Sequence, residues 1–141
     1  MPHVTLLYPF RPREEFDEAL GLIGGLGVGP LDVTLLRFRH FRYSPRSFTI
    51  WLDPEPSEPW LRVQAALQAR FPDCDEVASH PGGFVPHLSV GQARGPALAQ
   101  ELQATWRPVR FHLTELALIW RERRRPFQVA LTVRLSERRE F

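Results

Sequence analysis

The chain has no lysine; all 18 of its basic residues are arginine. The base composition of a GC-rich genome is the plainest cause. The physical consequence is that every cation is a planar fork of donors suited to phosphate. A single cysteine, Cys74, excludes an intrachain disulfide and a cysteine-based zinc site. Its neighbours Asp73 and Asp75 disfavour the thiolate that a nucleophile needs. No apolar run approaches the ~20 residues of a membrane span. Met1 leads into an alternating strand pattern rather than a signal peptide, so the expectation is a cytoplasmic protein with no membrane contact. Excess charge is scarce too. The net charge of +2 is too small to prove nucleic-acid binding, and it allows a local basic mouth around an anionic substrate. No acidic cluster has metal-ligand spacing, so no metal or cofactor is expected.

What is present is an ordinary globular composition. With 141 residues and 43% hydrophobic content, residues 1–141 read as one bilobed domain on a shared core. Val4 to Phe10 reads as a strand. Arg11 to Glu15 opens a helix with Phe16, Leu20 and Ile23 on one face, ended by Gly24-Gly25. Leu31 to Phe41 is strand-like, with Val33, Leu35 and Arg37 sharing a face. After a turn at Ser44-Pro45-Arg46-Ser47, Phe48 to Leu52 is another strand. Trp60, Val63, Leu67 and Phe71 form the apolar stripe of a helix. An irregular loop over 72–86 contains His80-Pro81-Gly82-Gly83. Then the order recurs: a strand from His87 to Gln92, a helix over Gly95 to Trp106 with Leu98 and Leu102 inward, and a strand over Val109 to Trp120. A charged turn over Arg121 to Pro126 leads to a last strand, Phe127 to Leu135.

Two segments in this repeat read alike: Pro2-His3-Val4-Thr5 and Pro86-His87-Leu88-Ser89. In a strand, alternate residues share a face, so each histidine has a hydroxyl beside it. Five histidines and 12 serines or threonines give roughly half an H-x-[ST] match by chance, so the pattern alone is weak. His112-Leu113-Thr114 fits as well. The repeat separates the three, because His87 matches His3 while His112 matches Asp32 in a supporting strand. The repeat also implies a strand and a helix upstream of His3, where the sequence holds two residues. The first lobe therefore reads as incomplete, with an open sheet edge beside the His3 strand.

Two H-x-[ST] motifs, one in each half of an α+β repeat, resemble the 2H phosphoesterase superfamily, which includes the 2′-5′ RNA ligase-like proteins. The run Pro2 to Phe10 is similar to a bacterial branch of it. The resemblance spans nearly the whole chain; the departure is the missing first strand and helix. It implies two pseudo-symmetric lobes of antiparallel sheet with helices outside and a cleft between. It also implies metal-independent action on 2′,3′-cyclic phosphates or 2′-5′-linked RNA or nucleotides. His3 and His87 are then the catalytic pair, and Thr5 and Ser89 the phosphate-binding hydroxyls.

The residues can do that chemistry. One imidazole takes a proton from water and the other gives one to the leaving ribose oxygen. The reverse reaction, 2′-5′ ligation, uses the same groups with roles exchanged. Two such contacts on one phosphate need ring nitrogens roughly 5–8 Å apart. Tyr8 and Gln92 stand at matched positions further along the two strands and are read as sharing the faces of Thr5 and Ser89. They are candidate substrate contacts, although an aromatic on a strand more often packs. Tyr43 and Trp120 are candidates to stack a base, with core filling the commoner role. Arg121 to Arg125 reads as a solvated turn with a smaller claim to phosphate steering, and His80 as a loop residue. The expected partner is an RNA end or a small nucleotide. Two competing readings are a noncatalytic RNA- or nucleotide-binding module that keeps the cleft, and a general ferredoxin-like interaction domain that makes the paired motifs accidental.

Overall fold

The computed structural model describes residues 1–137. After a 3-10 turn at Arg13–Glu15, α1 spans Phe16–Ile23 and buries Phe16, Ala19 and Ile23. A long strand, β1 (Leu31–Ser44), turns through Pro45 and Arg46 into β2 (Ser47–Glu55). Helix α2 (Ser57–Arg70) buries Trp60, Val63, Gln64 and Leu67. There follow β3 (Leu88–Ala93), α3 (Ala97–Thr105), β4 (Val109–Leu113), β5 (Glu115–Trp120) and β6 (Gln128–Arg134). The strands form a four-stranded antiparallel sheet in the order β3-β2-β1-β4 and a two-stranded sheet of β5 and β6. No described helix is long and apolar enough to cross a membrane.

The main core is built from both sheets. Leu31, Val33, Leu35 and Leu52 meet Leu116, Leu118 and Leu135, with α1 and α2 packed over them. A second cluster joins Phe48 and Ile50 to Ala99 of α3, with Leu98 and Leu102 beside it. This is the antiparallel α+β architecture that the resemblance implies, but three details differ from the element-by-element reading.

First, Val4 to Phe10 is not a ladder strand. Among the described residues it makes two isolated bridges, Val4 opposite Leu88 and Tyr8 beside Asp75. Second, the stretch 109–120 is two strands, not one. It breaks at Thr114, whose carbonyl accepts from the Leu135 N–H at 2.8 Å. On one side of that break β4 pairs with β1, and on the other β5 pairs with β6. Third, Arg37 leaves the face of Val33 and Leu35. A bulge between Leu35 and Arg37 inserts one residue, Leu36, into β1, and an extra residue reverses the side on which later side chains emerge. The groups this bulge frees are taken up by α3. The Gln103 side chain accepts from the Phe38 N–H at 2.7 Å and donates to the Leu36 carbonyl at 3.0 Å. The Trp106 indole donates to the Leu35 carbonyl at 2.9 Å.

The pseudo-symmetry is visible in the pairing. Val4 faces Leu88 and Asp32 faces His112, and in each case the repeat makes the two residues equivalents. A residue opposite its own counterpart in an antiparallel pair marks a pseudo-two-fold.

Phe71 ends α2 fully buried, with its ring 5.1 Å from Phe10. It joins the helix to the His3 segment. Phe71→Ala is expected to cost about 3–5 kcal/mol, read in urea as a lower midpoint at an unchanged slope. A midpoint equal to the wild type's would show that the segment packs independently of α2.

Candidate active site

Because Val4 pairs with Leu88 in antiparallel sense, His3 falls opposite Ser89 and Thr5 opposite His87. All four then lie on one face of the pair. In a regular antiparallel ladder, diagonal neighbours on such a face stand about 7–8 Å apart.

Both imidazoles are anchored in the same way. His87 Nδ1 lies 2.8 Å from the carbonyl of Val85, and His3 Nδ1 lies 3.0 Å from the carbonyl of Met1. Each is the residue two positions back, with Pro86 or Pro2 between. A carbonyl only accepts, so Nδ1 is the donor in both rings and Nε2 keeps the free lone pair when the ring is neutral. Proline fixes φ and has no N–H, which pre-sets the short loop through which the ring reaches back.

The surroundings of the two rings differ. His87 is half-buried, edge-on to Phe41 at 5.0 Å and to Trp51 at 5.8 Å. Phe41 stacks on Trp51 at 4.7 Å. His3 is exposed, and among the described residues its ring contact is Phe127 at 5.9 Å. A cavity of about 630 Å³ opens beside it, lined among others by Thr5, Tyr8, Arg13, Trp120 and Arg121. His87, Ser89 and Gln92 do not line this cavity; they belong to the adjoining sheet face. His112 lies apart on β4, its Nδ1 2.8 Å from Asp32.

Gln92 shares the face of Ser89 for a reason the sequence hides. Ser89 pairs with Trp51, but Gly91 pairs with Ile50 and Gln92 with Thr49. Val90 is thus a bulge residue, and the shift brings a residue three positions on back to the same side. Gln92 donates to the Thr49 hydroxyl at 2.8 Å there. Tyr8 has no ladder to set its face; its carbonyl accepts from Glu76 N–H at 3.1 Å and its side chain borders the cavity. Tyr43 stands exposed near the β1–β2 turn. The Trp120 ring is covered by the Arg13 guanidinium at 4.2 Å. His80 comes within 6.0 Å of Phe41, on the His87 side.

The residues that steady the motifs are ones the sequence reading missed. Gln64, buried on α2, donates to the Leu6 carbonyl at 3.4 Å. Arg11 forks onto Asp73 at 2.6 and 2.9 Å. Phe41 and Trp51 carried a weak signal, as aromatics on strands, but only the register puts them under His87. No group of three metal-ligating side chains stands together among the described residues.

The sequence model of the 2′-5′ RNA ligase superfamily matches residues 1–125. Solved structures with a similar fold include TT0787 of Thermus thermophilus, 24% identical, with a TM-score of 0.63 over 95% of this chain and 78% of that one. LigT of E. coli, complexed with 3′-AMP, is 19% identical, with a TM-score of 0.66 over 96% and 77%. No curated protein matches the chain.

Two outcomes check the local chemistry. In ¹⁵N spectra the neutral His87 ring is expected as the Nδ1–H tautomer; the Nε2–H form would rule out the Val85 anchor. Burial, followed by the Asp73 carboxylate, pushes the Cys74 thiol above its ordinary pKa. Iodoacetamide at pH 7 is therefore expected to label Cys74 only after unfolding; rapid native labelling would contradict it.

Proposed function

The chain belongs to the 2′-5′ RNA ligase superfamily, and on that premise we propose that it is a cytoplasmic, metal-independent phosphodiesterase. Its substrate is a 2′,3′-cyclic phosphate or a 2′-5′ linkage at an RNA end or on a small nucleotide. The observation that carries the reading is the matched anchoring of two imidazoles by the carbonyls two residues back, on segments joined at Val4 and Leu88.

On a cyclic phosphate, the Nε2 of one histidine takes a proton from water as the water oxygen bonds to phosphorus. The bond from phosphorus to one ribose oxygen breaks on the opposite side, and that oxygen takes a proton from the second, protonated histidine. The Thr5 and Ser89 hydroxyls donate to the non-bridging oxygens, where negative charge grows. Running the steps backwards joins a 2′-hydroxyl to a cyclic phosphate. The two proton transfers and the charge stabilisation are all assigned to side chains, so turnover is expected to persist in EDTA.

The test is to incubate the protein with 2′,3′-cyclic nucleotides and with 2′-5′-linked dinucleotides in EDTA and to identify the product isomer. His3→Ala and His87→Ala are each expected to lower turnover about 10²–10⁴-fold. The double variant should lose less than the product of the two, because the residues act as a unit. Thr5→Ala and Ser89→Ala should cost about 10–10³-fold, as lost oxyanion donors do. Full activity in His87→Ala would sink the mechanism. Tight nucleotide binding without turnover would establish the noncatalytic binding module instead.

A further inference from the structure

The cavity beside His3 carries more positive charge than one phosphate needs. Arg11, Arg13, Arg121 and Arg123 line it, against the carboxylates Glu14 and Glu122. Arg11 is already committed to Asp73. Arg13 and Arg121 are held differently. The Arg13 guanidinium lies 4.2 Å over the Trp120 ring, and that of Arg121 lies 4.4 Å over Phe127. Stacking holds a guanidinium by its flat face and leaves its in-plane N–H donors free to meet an anion. Among the described residues neither arginine forms an ion pair.

Position adds to this. Phe127 is also the ring against which His3 stands, so Arg121 and His3 share one contact at the cavity wall. The His87 side is built differently. There Phe41 and Trp51 close on each other, and Arg39 is paired with Asp53 at 2.7 Å. The cavity's roughly 630 Å³ lies within the about 300–1,000 Å³ usual for small-ligand sites, so a nucleoside and a phosphate fit together.

We propose that Arg13 and Arg121 form a subsite for a second phosphate, separate from the phosphate held between the two motifs. The substrate then carries two phosphates, the outer one being either a 5′-phosphate or the next internucleotide phosphate of an RNA strand. The identity of the first phosphate rests on the phosphodiesterase reading, so the test is one of binding and does not need turnover.

Calorimetry compares adenosine 3′-monophosphate, adenosine 3′,5′-bisphosphate and the dinucleotide ApAp. Arg13→Met and Arg121→Met, alone and together, remove the charge but keep an apolar arm on each ring. Arg46→Met, on the exposed turn between β1 and β2, is the control. At least one two-phosphate ligand is expected to bind the wild type about tenfold tighter than the monophosphate. The gain should shrink with added salt, survive in the control and disappear in the double variant. A gain with ApAp alone identifies the internucleotide phosphate as the source, and a gain with the bisphosphate too identifies the 5′-phosphate as sufficient. Equal affinities in the wild type, or a gain that survives in the double variant, would overturn the subsite. A protein that shows the gain but hydrolyses no cyclic phosphate would refute the phosphodiesterase reading and leave the subsite standing.

Discussion

The backbone of β1 has to be satisfied along a strand of 14 residues, and no single neighbour does it. Its first residues pair with β4 and the later ones with β2, overlapping at Thr34 and Leu35. At Leu36 the ladder slips by one residue. N–H and C=O groups that lose their ladder partners there carry a cost unless they are paired again. Gln103 and Trp106 remove that cost by bonding at Leu35, Leu36 and Phe38. The placement of α3 is therefore coupled to the bulge in β1. With the bulge in place, Leu35 stays in the core while Arg39 and Phe41 turn to the opposite face, where Phe41 meets His87.

The two motifs are equivalent in sequence and unequal in support. His87 immediately precedes a strand that is laddered to β2, and two aromatic rings flank it. His3 precedes a segment held by two isolated bridges, Val4 to Leu88 and Tyr8 to Asp75, and by side chains: Gln64 on the Leu6 carbonyl, Arg11 on Asp73, and Phe10 on Phe71. Ladder bonds fix a backbone at every second residue, whereas side-chain ties fix it at intervals and leave more to the ordering entropy of binding. Near the Val4–Leu88 bridge the motif segments approach symmetry, and there the same carbonyl-to-Nδ1 anchor recurs.

Much of this was legible in the chain. Trp60, Val63, Leu67 and Phe71 mark the buried stripe of α2 because helical spacing and apolarity coincide there. The paired motifs, and the separate place of His112, followed from repeat order. What stayed hidden were features that depend on partners far along the chain. Nothing local shows that Thr114 breaks a strand, since its carbonyl is claimed by Leu135. Nothing local shows that Val90 is a bulge, since the slip appears only against Ile50 and Trp51. Val4 to Phe10 has a good strand pattern yet lacks a ladder, because pattern reports which side faces the core and not whether a neighbouring strand is present. Gln64 was hidden by its type, because a glutamine on a helix is ordinarily a solvent residue.

The difference between the halves bears on how the proposed substrate would be held. On the His87 side, Phe41 and Trp51 stand against the imidazole, which favours a fixed ring. On the His3 side the imidazole stands against Phe127 and borders an open cavity with arginines at its wall. A reaction with a proton donor and a proton acceptor needs both groups at one phosphorus, but it does not need both sides to bind the rest of the substrate. Precision is easier to reach where nothing else must fit, and room is easier to make where the backbone is not locked into a ladder. Under the proposed reaction the chain would separate the two demands: the laddered half holds an imidazole in place, and the loosely tied half offers room and charge for what is attached to the phosphate.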